Sequence, residues 1–409
     1  MSADSPFIQR LHGLDSLRGI ALLLGIVLHA SMAYFPIPLW LAVDSATSPG
    51  ASALFFAIHL FRMTTFFLIA GFFAHLALDR RGTGGFIRDR LKRIAGPLVI
   101  FWPIMLAAII AVMVWAAMVM NGGSLPKNAP PPPPLTIATF PLTHLWFLWV
   151  LLIFYAALLI GRALLHRIDG KETLRGAIDR AVRGIMRPWA ALLLALPLAV
   201  ALYLRPGWIM WLGIPTPDIG LVPNMPAIAG FGTAFLFGYL LHRQPALLTR
   251  IGAYWPINLG LAIIGGIAAL MVAGGPTPVL TPVPETTAKI GLALLYAGAA
   301  FAASLAAIGL ALRFLNAERP AMRYLADASY WMYIMHLPIV VAGQVLLLPV
   351  AMPWWAKLIA VIAGSTALLL ASYHLLVRST FIGGWLNGRR YPWKRSAGLP
   401  AATMASTQS

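Results

Sequence analysis

The chain has 409 residues, of which 60% are hydrophobic and only 10% charged, far more apolar side chain than a soluble core can cover. This excludes a soluble globular domain and predicts an all-α, polytopic integral membrane protein. The formal net charge of +18 raises nucleic acid as a partner, but the basic residues fall where a membrane topology puts them, and no nucleic acid is expected. Cysteine is absent, which removes disulfides, thiolate metal sites and a cysteine nucleophile.

Windows of about 19 residues predict ten transmembrane helices, near 14–35, 51–78, 97–120, 142–165, 188–204, 227–242, 255–274, 289–312, 327–350 and 354–377. Of the 30 lysines and arginines, 23 lie in the N-terminus, the loops 79–96, 166–187, 243–254 and 313–326, and the tail from 378. The opposite set of connections holds only Lys127 and Arg205. The positive-inside bias therefore places both termini in the cytoplasm. The organisation is a cytoplasmic N-terminus at 1–13, a membrane domain at 14–377 and a cytoplasmic tail at 378–409 whose end, after Arg395, is of disordered composition. Anionic lipid headgroups are the natural counter-charge.

The first span, "LDSLRGIALLLGIVLHA" at 14–30, carries Asp15, Arg18 and His29. Arg18 and His29 are eleven residues apart, three turns plus roughly 20°, so they share one helix face about 16 Å apart along the axis. A charge inside a span costs on the order of 3 kcal/mol, so such residues usually face a cavity. One reading has Arg18 snorkelling to the inner interface, paired with Asp15 at i+3, and His29 as a helix contact. The other has a polyanion clamp at Arg18 and a titratable base at His29 on the wall of one channel.

In the second span His59 and Arg62 stand at i and i+3 on one face, costly polar groups at mid-depth. The basic run "RDRLKRIAGP" puts Arg90 and Arg93 on a common helical face just before the third span, on the side of Arg18, a combination suited to phosphates. The outer segment "LPKNAPPPPPLTIATF" has five consecutive prolines and is expected to form an extended rim. His144 opens the fourth span beside Trp146 and Trp149, as in an aromatic interface belt. The inner segment "HRIDGKETLRGAIDRAVRGIMR" has the pattern of a helix in the headgroup plane. His336 lies about midway along the ninth span. His75 and His374, near inner ends, read as interfacial. No HExxH, GxSxG, clustered carboxylates or glycine-rich phosphate loop is present, so no metal site and no permanently bound cofactor is expected.

Arg18 with ten residues before His29, "FFLIAGFF" at 66–73, Arg90-x-x-Arg93, "HLWFLWVLLIFY" at 144–155 and "SYWMYIMHLP" at 329–338 together resemble the membrane acyltransferase family 3. The opening and the "LWFLWVLL" stretch are most similar to its glucan biosynthesis protein C branch. The resemblance implies transfer of an acetyl or succinyl group from cytoplasmic acyl-CoA to a hydroxyl of a cell-envelope carbohydrate, in the inner membrane. It implies that His29 is the general base and that Arg18, Arg90 and Arg93 hold the CoA phosphates. Asp15 would orient Arg18, while His59, Arg62 and His336 would line the acceptor or thioester region. A transporter or flippase of an anionic or lipid-linked sugar is the competing reading, and the lack of internal repeats counts against it.

Overall fold

The computed structural model describes residues 6–125, 131, 133–170 and 172–391, with side chains described from residue 12 onward. Among these residues the fold is all-helical. Its helices are α1 (Pro6–Ser31), α2 (Pro49–Arg90), α3 (Gly96–Met120), α4 (Trp146–Ile168), α5 (Thr173–Ile185), α6 (Ala190–Tyr203) and α7 (Met225–His242). There follow α8 (Ala246–Ala253), α9 (Trp255–Val272), α10 (Ala288–Phe314), α11 (Pro320–Leu347), α12 (Trp354–Ser372) and α13 (Phe381–Leu386).

Each of the ten predicted windows contains a helix, but the divisions between them differ. Eight helical runs are long and apolar enough to cross a membrane. One of them, Pro49–Met120, has 72 residues. At 1.5 Å per residue it would measure roughly 110 Å, several times the ~30 Å hydrocarbon core, so it accounts for two crossings. The expected loop at 79–96 is thus itself helical. The run is broken at Gly82, whose φ of 65° is outside helical space, and passes through a π-helical segment at Leu91–Ala95 before α3. Only 14 residues long, α6 is short for a span, and it bends 110° from α5. As expected, α5 is a separate amphipathic helix. Asp169 caps it by accepting from the backbone N–H of Leu174 and Arg175 at 3.0 and 2.8 Å. Burial disfavours that carboxylate, yet these bonds, with Arg175 and Thr173 side chains, hold its pKa at about 2.

Burial sorts the helices. The most apolar windows of α1 and α10 are 61% buried, against 17% for α9, so the former make the centre and the latter the perimeter. Exposed Ile264, Val99 and Ile359 on α9, α3 and α12 are what a lipid-facing surface requires. The described part of the proline segment is non-helical and exposed, as its composition demands. Residues 381–391, assigned by sequence to the tail, fold back onto the bundle. Trp385 Nε1 donates to the Lys92 carbonyl at 2.6 Å, and Asn387 Nδ2 to the Asp327 carbonyl at 2.9 Å. The end of the tail, 392–409, lies outside the described residues.

Candidate active site

A cavity of about 800 Å³ runs through the bundle, and α1, α2, α4 and α11 supply most of its wall. Arg18, His29, His59, Arg62, Arg90, Arg93 and His336 all line it, so seven of the eight residues singled out by sequence converge on one space. The eighth, Asp15, stands behind Arg18, with its carboxylate 3.2 Å from Nη1. Arg18 and His29 therefore face the same cavity rather than lipid.

One end of the cavity is cationic. Arg18, Arg80, Arg81, Arg90, Arg93 and Arg389 line it with Asp89 and Asp327 as the carboxylates. Asp89 is shared among Arg81, Arg90 at 3.7 Å and Arg93 at 3.2 Å, which leaves positive charge in excess. The Arg90 guanidinium lies between the rings of Phe86 and Tyr155, 4.9 and 5.1 Å from their centroids. Its buried Nε has no hydrogen-bond partner. The π-helical segment starting at Leu91 displaces the register just after Arg90, and such bulges are frequent at functional sites. Arg389 comes from the folded-back tail and pairs with Asp327.

The middle of the cavity holds the histidines. His29 stacks on Trp40 with ring centroids 5.5 Å apart and lies 5.2 Å from His336. His336 in turn is 5.2 Å from His144, edge to face. His144 is thus a buried member of the cluster, not part of an outer aromatic belt. The reason is in α11. Pro338 has no N–H, so the carbonyl of Ile334 four residues earlier lacks its helical donor. His144 Nε2 donates to that carbonyl at 2.8 Å.

Carbonyl partners also fix the other tautomers. His336 Nδ1 donates to the Tyr333 carbonyl at 2.7 Å and His59 Nε2 to the Leu212 carbonyl at 3.1 Å. His29 differs in having no carbonyl partner, and its Nδ1, like that of His144, is buried without a hydrogen-bond partner. Among the described residues, His29 is thus the cavity-lining ring of the cluster with no bond to a backbone carbonyl.

Helix α1 is held where this ring needs it. Gln344 Nε2 donates to the carbonyls of His29 and Ala30 at 2.9 and 3.0 Å, satisfying the end of the helix. Gln344 Oε1 accepts from Trp40 Nε1 at 2.9 Å, which sets the indole against the imidazole. Arg62 reaches the same centre because residue 25, one turn before His29, is glycine. A Cβ there would stand 2.1 Å from Arg62 Nη1. Gly25→Ala is accordingly expected to displace the guanidinium and lower turnover at least about tenfold, roughly 1.4 kcal/mol, with little change in thermal midpoint because the clash is with a flexible side-chain tip. Kinetics and a melting curve on the same preparation check this.

At the other end the wall is formed by Trp40, Leu41, Ile109, Thr143, Thr216 and Asp218. Thr143 has φ of 55°, rare for a β-branched residue, and its buried Oγ1 is unpartnered. Its N–H donates to the Asp218 carbonyl at 3.1 Å, so the strained residue is held by the segment between α6 and α7. Sequence inspection missed Gly25, Trp40, His144, Gln344 and Arg389. The proline two residues after His336 was the available signal for His144.

An all-helical, multi-pass membrane protein whose internal cavity is lined by arginines at one end and histidines in the middle defines a class, a membrane protein with a polar site inside its helix bundle. The profile of the acyltransferase 3 family, described as an acyltransferase domain, matches residues 11–374, and the chain belongs to that family. It is an acyltransferase that works among membrane lipids on an acceptor substrate. No curated protein and no solved structure matches the chain significantly.

Proposed function

We propose that the protein is an O-acyltransferase of the inner membrane, with both termini cytoplasmic, that moves an acetyl or succinyl group from acyl-CoA to a hydroxyl of a cell-envelope carbohydrate. A periplasmic glucan is the preferred acceptor, in line with the resemblance to the glucan biosynthesis protein C branch. The observation that carries the reading is the unpartnered Nδ1 of His29 in the same cavity as the arginine cluster.

The phosphates of CoA bind Arg18, Arg90 and Arg93, with Arg389 as a further donor, and Asp15 orients Arg18. The pantetheine arm lies along the cavity and brings the thioester carbonyl to His29. The acceptor hydroxyl approaches from the end lined by Thr216 and Asp218. His29 removes its proton as the oxygen adds to the thioester carbon. The charge that develops on the carbonyl oxygen is met by Arg62, and His59 and His336 line the cavity around it. Collapse breaks the carbon–sulfur bond, and the leaving thiolate takes the proton from the His29 imidazolium. The acyl ester and free CoA are the products.

Protein purified in detergent and supplied with acetyl-CoA or succinyl-CoA is expected to bind the donor and slowly release free thiol without any membrane gradient. Envelope glycans from cells with and without the gene should differ by the mass of one acyl group. Absence of both donor binding and a glycan mass difference overturns the proposal.

A further inference from the structure

At the end of the bundle that carries Arg80 and Arg81, and away from the histidine cluster, α2 and α7 bring together His75, Asp79 and His242. The two helices touch backbone to backbone. A Cβ on Gly71 would lie 1.9 Å from the Phe235 carbonyl oxygen, and a Cβ on Gly238 would lie 1.9 Å from that of Leu68. His75 and Asp79 follow Gly71 at successive steps of four residues, and His242 follows Gly238 by four, so all three side chains stand on the facing ridges just beyond the closest approach.

His75 Nε2 is 3.4 Å from Asp79 Oδ2, and His242 Nδ1 is 3.8 Å from the same oxygen. One ligand atom from each residue lies within 4.8 Å of the others. A tetrahedral ion with bonds of about 2.0–2.2 Å needs its ligands about 3.3–3.5 Å apart, so small side-chain movements close the set. His75 Nδ1 donates to the Tyr239 carbonyl at 3.0 Å, the outer bond that typically orients a metal-binding imidazole. With that proton on Nδ1, a neutral ring aims the Nε2 lone pair at a carboxylate oxygen. Two acceptors facing each other require a shared positive species between them. The histidine side chains are nearly buried, while that of Asp79 is half-exposed, which leaves a side open for water as a further ligand.

We propose that His75, Asp79 and His242 bind a first-row divalent transition-metal ion that clamps α2 to α7. The donor set of two imidazoles and a carboxylate suits Zn²⁺ and its spectroscopic substitute Co²⁺ rather than Mg²⁺ or Ca²⁺. Of the nearby cations, Arg243 is neutralised by Asp179 at 2.8 Å and Arg80 is exposed. The clamp fixes the stretch of α2 that leads into Arg80 and Arg81 on the cavity wall. Two of its ligands are four residues apart on α2, but the third, His242, comes from α7 far along the chain, so no spacing motif announces the set.

The test is titration of chelator-treated full-length protein, prepared without a polyhistidine tag, with Co²⁺ followed by visible absorption and then Zn²⁺ displacement. The expected result is saturation at one equivalent, a higher thermal midpoint in the loaded protein, and affinity weakened roughly tenfold or more in both Asp79→Asn and His242→Gln. Asp79→Asn is isosteric and half-exposed, so it should fold. A His29→Asn control should retain the site. No saturable binding by the wild type overturns the proposal, as does binding that Asp79→Asn leaves intact or that His29→Asn removes. In either failure a proton on His75 is the shared positive species.

Discussion

Replacing His29 by Asn is expected to lower acyl transfer by about 10²–10⁴-fold while leaving the protein folded. The size follows from what a positioned proton acceptor contributes to a transition state. The fold should survive because the tether of this helix end uses backbone, not the ring. Gln344 holds the carbonyls of His29 and Ala30, and both remain in the variant. Trp40 keeps its bond to Gln344 as well, so the indole still closes that side of the cavity.

Two further readouts separate proton transfer from simple binding. Donor affinity should change little, since the guanidinium cluster lies elsewhere in the cavity. The rise of wild-type turnover with pH should disappear, because a base that must be neutral to act gives that limb of the profile. His336→Asn should cost less, as its Nδ1 is committed to the Tyr333 carbonyl. A His29→Asn enzyme within a few-fold of wild type would remove the proposed base.

The class of fold was open to inspection because the signal is coarse. An excess of apolar residues in 19-residue blocks with basic residues in alternate connections leaves little choice of architecture. What could not be read was where one helix ends, since nothing in the stretch from Pro49 to Met120 except Gly82 departs from helical geometry. For the site, the residues that a lipid environment penalises most were the ones that converge. Arg18, His29, His59, Arg62 and His336 are each costly in hydrocarbon, and cost is visible in a sequence.

His144 escaped because Trp146 and Trp149 beside it offered a sufficient explanation. Its true partner, the Ile334 carbonyl, is 190 positions away and freed only by Pro338. Trp40 and Gln344 are ordinary residues made important by a hydrogen bond across 304 positions. Arg389 looked like part of a solvated tail. Nothing in its local sequence tells that Trp385 bonds to Lys92 and carries the chain back to the arginine cluster.

The second large effect is expected at a buried ion pair between α12 and the segment that follows α1. Lys357 Nζ on α12 donates to both oxygens of Asp44, at 2.7 and 3.0 Å, and neither side chain is more than 2% exposed. Asp44 also accepts from the N–H of Ala46 at 2.8 Å, and its own N–H donates to the Ala33 carbonyl at 2.9 Å. The pair therefore pins the segment that leaves α1 and carries Trp40 to His29.

Lys357→Met strands a carboxylate in a dry site, and removing one partner of such a pair costs about 3–5 kcal/mol. The expected outcome is a markedly lower thermal midpoint and reduced turnover, because the segment that supports Trp40 loses its anchor. Asp44→Asn combined with Lys357→Met removes the stranded charge and keeps an acceptor for the Ala46 N–H. It should recover a substantial part of the loss, since a pair without charge pays no ionic desolvation. Intrinsic tryptophan fluorescence follows the transition. The cysteine-free native chain offers no thiol for a maleimide probe. If Lys357→Met melts with the wild type, or the double variant melts no later than the single, the pair is not what anchors this segment. Trp40 would then owe its position to Gln344 alone.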